Sequence, residues 1–262
     1  MELNLTQYGA SFYDFVRLEH DYLLPRFQVP EGLVTSSFAQ TPHSTTILAL
    51  KCLEGVIIAA DRQATEGYQV ASRHIEKVYK ADEYSAIAIA GAAGPCIEMV
   101  KLFQVELEHY EKLEGEVLAL EGKANKLAQM VRQNLPAAFQ GLIVIPIFAG
   151  YDLRKNEGRI FKYDVTGGRY EESDYYATGS GGKDARNTLK KLFRPGMTRE
   201  QAVRLALEAL LDASEEDVAT GGPDPVRGIY PSVKIVAQSG TNDLPEDEIR
   251  LICESLLSER RR

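Results

Sequence analysis

Two opposite charges occupy positions in this sequence where a charge is unusual. Asp61 ends the apolar run GVIIAAD, and Lys77 lies inside the strand-like segment HIEKVYKA. Charges in such runs usually lie at a sheet edge or face solvent, because an isolated buried charge is very costly. If Asp61 and Lys77 are buried, each therefore needs a partner of opposite sign, and each could serve as the partner of the other.

The sequence does not indicate a serine hydrolase. It contains no GxSxG elbow, and none of the four histidines (His20, His43, His74 and His109) has a motif neighbour that marks it as a general base. A threonine nucleophile could use a different base. At a new N-terminus, threonine can use its own α-amino group, whose pKa of about 7.7 to 8.0 suits neutral pH, once any preceding leader has been cut off.

The glycine-rich stretch ATGSGGKDAR is the third candidate for chemistry. It is not a phosphate-binding P-loop, since that motif would need glycine at Ala177 and serine or threonine at Asp184. The stretch instead predicts a strand, a tight turn at Gly179–Gly181 and the start of a helix, where free N–H groups can bind an oxyanion. A turn with a purely structural role is the alternative.

An acidic triplet, Glu215, Glu216 and Asp217, lies at the end of a predicted helix. The helix dipole disfavours negative charge at that end. Most such triplets are solvated helix ends, but the unfavourable placement is a weak indication that one of the three serves chemistry.

Composition excludes several classes of protein. The chain has 262 residues with 44% apolar and 26% charged residues and a formal charge of −8, as expected for a globular domain that does not bind nucleic acid. No segment is long and apolar enough to span a membrane, and no secretion signal is evident, so we expect a cytoplasmic protein. Three distant cysteines and the histidine spacing predict neither disulfides nor a metal site, and no cofactor is indicated.

The order of predicted elements indicates an α+β fold. Residues 1–44 lack lysine and read as an irregular leader. The segments TTILALKC, GVIIAADR, HIEKVYKA and YSAIAIAG then predict strands, followed by two helices from about Cys96 to Glu114 and from about Lys123 to Pro136. A three-stranded meander is predicted for LIVIPIFAGYD, GRIFKYDVTGG and RYEESDYYATG.

A second pair of helices follows this meander. One is predicted from about Lys183 to Phe193, and the next begins at Thr198, which with Gln201 makes a capping-box pattern. The strand YPSVKIVAQ and a helix starting near Pro245 complete the domain. Strand groups that alternate with helix pairs favour antiparallel sheets with helices packed outside over a doubly wound parallel sheet.

These residues carry a resemblance to a known family. The run TTILALKCLEGVIIAADRQAT from Thr45, the distance from Thr45 to Lys77, Gly91 at a strand end, the Gly179–Gly181 turn and DVATGGPD from Asp217 resemble a bacterial proteasome β subunit. The similarity covers about residues 45–255. It implies the N-terminal nucleophile hydrolase fold, a four-layer αββα sandwich with two antiparallel sheets between helix pairs. It also implies a propeptide, 1–44, that is removed from a peptidase domain, 45–262.

The resemblance further implies a threonine endopeptidase and assigns its catalytic residues. Thr45 would be the nucleophile, freed by self-cleavage of the bond between Ser44 and Thr45, with its new α-amino group as base. Lys77 would lower the pKa of the Thr45 hydroxyl and would be held by Asp61. The Gly91 N–H would form the oxyanion hole. The residues that would orient the amine and a water are Ser180, Asp217 and Thr220.

The family's substrate pocket corresponds to seven positions without charge. Such a pocket would favour an apolar or aromatic side chain before the cleaved bond. The positions are Ala64, Thr65, Ile75, Tyr79, Ile89, Ala93 and Ile97.

The implied partners are identical β subunits in a heptameric ring, α subunits and a ring-shaped ATPase that delivers unfolded polypeptides to a closed chamber. Two alternatives are a catalytically silent ring subunit and a simpler two-ring peptidase without α subunits. Silence would follow if Ser44, which stands where the family usually has glycine, blocks processing. The long leader and long C-terminal portion fit the two-ring peptidase poorly.

Overall fold

The computed structural model describes residues 45–66 and 69–260, so the predicted leader and Ser44 lie outside the described residues. Within these ranges the chain forms twelve strands and six helices. The strands are β1 (Thr46–Cys52), β2 (Gly55–Ala60), β3 (Ala64–Glu66), β4 (Gln69–Ser72), β5 (Val78–Asp82), β6 (Ser85–Gly91), β7 (Val144–Asp152), β8 (Glu157–Tyr163), β9 (Arg169–Glu172), β10 (Tyr175–Gly179), β11 (Ser232–Ala237) and β12 (Gly240–Asp243). The helices are α1 (Ala93–Glu114), α2 (Leu120–Gln133), α3 (Leu135–Ala138), α4 (Gly182–Leu192), α5 (Arg199–Glu216) and α6 (Glu246–Arg260).

Ten of the described strands form two antiparallel sheets of five strands each. The first sheet has the order β10-β1-β2-β11-β12, and the second has the order β5-β6-β7-β8-β9. The short strands β3 and β4 pair with each other in a separate hairpin. Strand β1 pairs with β10 on one side and β2 on the other, so the residue that begins β1 lies beside the ends of both neighbours.

Three apolar cores hold the layers together. The central core lies between the two sheets and includes Ile47 and Ile58 from one sheet and Ala88 and Ile147 from the other. The outer cores lie under helices: α4 and α5 pack on the first sheet with α6 against α5, and α1 and α2 pack on the second sheet. The predicted α+β class and the four-layer αββα sandwich are confirmed. One outer layer of the described fold contains three helices instead of a pair.

This layering explains why the strand sequences are apolar without alternation. Every residue of β2 is buried, because one face of the first sheet packs on helices and the other on the second sheet. A strand covered on both faces needs apolar residues at successive positions, as GVIIAA provides.

The prediction of a three-stranded meander ending in RYEESDYYATG is wrong at its last segment. That segment forms two strands in different sheets, β9 beside β8 and β10 beside β1. The chain leaves the second sheet at Ser173 and Asp174, where the Asp174 carbonyl accepts a hydrogen bond of 2.8 Å from the Lys51 N–H. No glycine or proline lies at this crossing, so the sequence pattern predicted one continuous strand where the structure has two.

The helix predictions agree with the structure apart from their ends. The capping box at Thr198 and Gln201 is confirmed at the start of α5. Helix α1 begins at Ala93 instead of Cys96, since its first turn, AGP, carries no apolar periodicity and a proline is tolerated there. Strand β12 and the β3–β4 hairpin were not predicted. Across the described residues, no helix combines the length and the apolar character needed to cross a membrane.

Candidate active site

Thr45 directly precedes β1, and two hydrogen bonds between its main chain and Ser180 hold it in place. Its nitrogen donates a hydrogen bond to Ser180 Oγ at 3.3 Å, and its carbonyl oxygen accepts one from the Ser180 nitrogen at 2.9 Å. Ser180 belongs to the predicted turn, which connects β10 to α4. The turn therefore fixes the residue at the start of β1, and Thr45 is only 5% exposed.

Asp61 directly follows β2 and is fully buried. Its Oδ1 accepts hydrogen bonds from the Thr46 nitrogen at 2.8 Å and from Lys77 Nζ at 2.7 Å. Its Oδ2 accepts from the nitrogens of Gln63 at 2.9 Å and Gly221 at 3.0 Å. Four donors, one of them a cation, compensate the cost of burying this carboxylate.

Lys77 lies one residue before β5, so the prediction that it is embedded in a strand is wrong by one position. Its Nζ donates to Asp61 Oδ1 and, at 2.6 Å, to the carbonyl oxygen of Gln63. Burial lowers the pKa of Lys77, and the negative charge of Asp61 opposes that shift. The buried ion pair that the two charges required is present.

Asp217 and Thr220 are connected to this region through Thr46. The Thr220 hydroxyl donates to Asp217 Oδ2 at 2.6 Å and lies 2.7 Å from the Thr46 hydroxyl, which accepts from the Gly181 nitrogen at 3.0 Å. With these directions, Thr46 donates to Thr220, and a continuous chain runs from Gly181 to Asp217. Such chains polarise their members in the same sense and hold both hydroxyls in one orientation.

Gly91 ends β6 and has a left-handed φ of +129°. A Cβ at this position would lie 2.0 Å from the carbonyl oxygen of Ile143, so no other residue fits without moving the backbone. Gly91 lines the same pocket as Thr45. The backbone conformation is therefore fixed at the position that sequence resemblance assigned to the oxyanion hole.

A pocket of about 250 Å³ opens beside Thr45, Lys77 and Gly91. All seven residues predicted for the substrate pocket line it, so the structure brings these positions together. They are Ala64, Thr65, Ile75, Tyr79, Ile89, Ala93 and Ile97.

The chain is similar to one known protein family over most of its length. A family model described as Proteasome subunit matches residues 41–226, most of the chain. The chain belongs to the proteasome subunit family. It is 58% identical to a proteasome subunit beta from Acidimicrobium ferrooxidans over 235 residues, which cover 88% of this chain and 86% of that protein. It is 51% identical to a proteasome subunit beta from Streptomyces griseus over 256 residues, covering 98% and 90% of the two chains. The resemblance to proteasome β subunits is thus confirmed.

The pocket of this proteasome subunit contains a charge that was not predicted. Glu76 lines it, and its carboxylate accepts hydrogen bonds from the nitrogens of Lys77 at 3.2 Å and Val78 at 3.0 Å and from Ser232 Oγ at 3.1 Å. The expectation of a pocket without charge is therefore wrong. Because three donors already bind the carboxylate, the pocket still offers mainly apolar surface. In the sequence, Glu76 directly precedes Lys77, and this neighbour was the available indication that Glu76 lies at the site.

Cys96 and Leu142 also line the pocket and were missed. Cys96 follows Ala93 by three residues on α1 and precedes Ile97, so helical spacing could have identified it. Burial raises the pKa of the Cys96 thiol to about 12, although the charge of Lys77 acts in the opposite direction. The thiol stays protonated at neutral pH and is a poor nucleophile. None of the described residues that line the pocket is a histidine.

Gly179 is the glycine of the proteasome subunit whose replacement should disturb Thr45 most directly. It has a φ of +101°, and a Cβ there would lie 1.7 Å from the carbonyl oxygen of Thr45. We expect Gly179→Ala to lower the melting temperature of the assembled protein and to reduce peptide hydrolysis more than tenfold, since the backbone of Thr45 must move. Steady-state hydrolysis and a thermal melt measure both effects.

The control for this prediction is Gly115→Ala. Gly115 also has a left-handed φ, +71°, but a Cβ there would have no heavy atom within 4 Å. This variant carries only the left-handed strain, about 1 kcal/mol, and should retain hydrolysis. Equal activity in the two variants would contradict the proposed link between Gly179 and Thr45.

Proposed function

We propose that this chain is a catalytic β subunit of a proteasome and acts as a threonine endopeptidase. The observation that carries the proposal is the position of Thr45, which directly precedes β1 and shares its pocket with the buried Lys77. Lys77 and Asp61 form an ion pair at 2.7 Å, so a cationic side chain is held at the site. Membership in the proteasome subunit family supports the same assignment.

Maturation would begin with attack of the Thr45 hydroxyl on the carbonyl carbon of Ser44. The new C–O bond replaces the peptide C–N bond, and the hydroxyl proton passes to the departing nitrogen, so the α-amino group of Thr45 is freed at this step. Hydrolysis of the resulting ester by water then releases residues 1–44 and restores the Thr45 hydroxyl. In the described chain the Thr45 nitrogen already lies 3.3 Å from Ser180 Oγ. The freed amine would therefore be formed next to a hydroxyl that can orient it.

The same hydroxyl would then cleave substrates. Its proton passes to the α-amino group, directly or through a water, while its oxygen attacks the substrate carbonyl carbon. The ammonium of Lys77 lowers the pKa of the hydroxyl, and the Gly91 N–H stabilises the oxyanion. The amine returns the proton to the leaving nitrogen, and water hydrolyses the acyl ester. Ser180, Thr220 and Asp217 keep the amine and the water in position.

The pocket supports a preference for an apolar residue before the cleaved bond. Half of the residues that line it have aliphatic side chains, and its volume of about 250 Å³ suits one large side chain. Unfolded polypeptides are the substrate class that can present such a residue in an extended conformation. The proposed setting is a closed cytoplasmic chamber made of a heptameric β ring and α rings, which a ring-shaped ATPase supplies with substrate.

The test is to co-produce the chain with its α subunits and to determine its intact mass and N-terminal sequence. We expect a chain that begins at Thr45 and particles that hydrolyse fluorogenic peptides with leucine or tyrosine before the bond faster than peptides with aspartate or lysine. Uncut chains in fully assembled, inactive particles would reject the proposal and favour a silent subunit. Active particles formed without α subunits would instead favour the two-ring peptidase.

A further inference from the structure

The side chain of Gln63 is a buried polar group that none of the roles above uses. Gln63 lies between β2 and β3 and is only 6% exposed. Its Nε2 donates a hydrogen bond of 3.0 Å to the carbonyl oxygen of Val218, and its Oε1 accepts one of 3.0 Å from Arg73 Nη1. Because both ends of the amide have partners, the side chain is held in a single orientation.

The main chain of Gln63 supports both members of the buried ion pair. Its nitrogen donates to Asp61 Oδ2 at 2.9 Å, and its carbonyl oxygen accepts from Lys77 Nζ at 2.6 Å. A displacement of this residue therefore moves an acceptor that holds the Lys77 ammonium. It also changes the hydrogen bonds of the carboxylate to which Lys77 is paired.

The segment that Gln63 contacts through its side chain is otherwise held at that point by hydrogen bonds close in sequence, among them those of the Asp217 nitrogen to the Ala213 carbonyl oxygen at 2.9 Å and of the Ala219 nitrogen to Asp217 Oδ1 at 3.1 Å. Val218 directly follows Asp217, and its own side chain is 95% exposed, so apolar packing does not fix it. Two residues further on, Thr220 contacts Thr46, and the Gly221 nitrogen donates to Asp61. The hydrogen bond from Gln63 to Val218 thus adds a contact with a residue distant in sequence, directly after Asp217 and two residues before Thr220.

We propose that Gln63 is a positioning residue of this active site. Its side chain fixes the segment from Asp217 to Gly221, its main chain fixes Lys77, and Arg73 holds the amide from the outside. Gln63 acts through these residues and does not line the substrate pocket. This inference rests on the proposed function of Thr45 and Lys77. Displacements of about 1 Å at a reacting group can reduce rates about 100-fold, so the effect should be measurable.

The decisive variant is Gln63→Met, which keeps the length of the side chain and removes both amide hydrogen bonds. We expect kcat per reactive threonine to fall about 10- to 100-fold, while KM for an apolar peptide changes less than about twofold. Reactive threonines are counted by intact mass after complete acylation with a peptide β-lactone. A purely structural role would reduce the number of reactive sites and leave the rate per site unchanged.

A matched control is available on α1. Gln104 also donates from Nε2 to a backbone carbonyl, that of Lys80 at 2.6 Å, but does not line the pocket. Gln104→Met removes a hydrogen bond with the same donor and acceptor types, although a more exposed one, and should leave kcat per site within about twofold of the wild type. The comparison distinguishes an effect on kcat that is specific to Gln63 from the effect of losing an amide hydrogen bond elsewhere in the domain.

Arg73→Ala provides a second variant that leaves the buried side chain in place. It removes the outer partner of the Gln63 amide, and we expect a smaller reduction of kcat, about threefold to tenfold. If Arg73 acts through Gln63, the double variant should be no slower than Gln63→Met alone. Additive losses would contradict this coupling.

The outcomes separate this inference from the function on which it rests. If wild-type particles hydrolyse peptides and Gln63→Met has the same rate per site as Gln104→Met, the inference about Gln63 is overturned and the proposed function stands. If wild-type particles show no hydrolysis that depends on Thr45, the proposed function fails and the inference fails with it. A lower kcat at unchanged KM in Gln63→Met alone supports the proposal.

Discussion

Replacement of Thr45 by alanine is expected to abolish peptide hydrolysis, by at least about 10⁴-fold, and to leave residues 1–44 attached. The variant lacks the hydroxyl that is proposed to attack in both self-cleavage and substrate cleavage. Alanine at position 45 keeps the main-chain hydrogen bonds to Ser180 that threonine makes. Assembly should therefore continue. Hydrolysis of a fluorogenic apolar peptide, intact mass and the size of the particle measure the three expectations.

Two controls make the Thr45 result specific. Thr45→Ser keeps a hydroxyl at the same position and should retain processing and measurable hydrolysis. The attached leader could itself block the pocket in Thr45→Ala, so the same substitution is also placed in a chain with an engineered protease site directly before residue 45. Activity after removal of that leader, or normal self-processing in the simple variant, would show that Thr45 is not the nucleophile.

Much of the fold followed from the sequence because its central strands are buried on both faces. Apolar runs such as those of β1 and β2 have few alternative placements once helix pairs are available to cover them. The crossing at Ser173 and Asp174 could not be predicted in the same way. The choice of sheet for β10 depends on its pairing with β1 and not on its own composition.

The part of the candidate site that could be predicted is the pairing of its buried charges. A buried aspartate and a buried lysine each need a partner, and the observed 2.7 Å pair between Asp61 and Lys77 satisfies both. The convergence of Thr45 and Ser180 was carried by the family resemblance. The structure explains it through the pairing of β1 with β10, which places the turn after β10 at the start of β1.

The unpredicted part includes polar side chains whose partners are distant in sequence. Gln63 donates to the carbonyl oxygen of Val218, and Glu76 accepts from the Ser232 hydroxyl in addition to the backbone nitrogens of the two residues that follow it. A backbone carbonyl or N–H has the same chemistry at every residue, so sequence gives no indication of which one will be the partner. Such residues are identified only when the chain is folded, although they support the residues that the sequence did identify.

Lys77→Ala is the second substitution with a large expected effect, a loss of kcat of about 10³-fold in the assembled protein. The variant removes the ammonium that is proposed to act on the Thr45 hydroxyl, and it leaves the buried Asp61 without its cation. Removal of one partner of a buried ion pair typically costs about 3 to 5 kcal/mol. Asp61 retains three backbone donors, from Thr46, Gln63 and Gly221, so the domain should still fold with a lower melting temperature.

A second buried ion pair separates the loss of activity from the loss of stability. Lys123 on α2 lies 2.5 Å from Asp82, its side chain is 4% exposed, and neither residue lines the pocket beside Thr45. We expect Lys123→Ala to lower the melting temperature about as much as Lys77→Ala while retaining most of the hydrolysis. If both variants lose activity in parallel with stability, the ion pair of Asp61 and Lys77 serves the fold alone. If only Lys77→Ala is inactive, the cation takes part in the chemistry at Thr45.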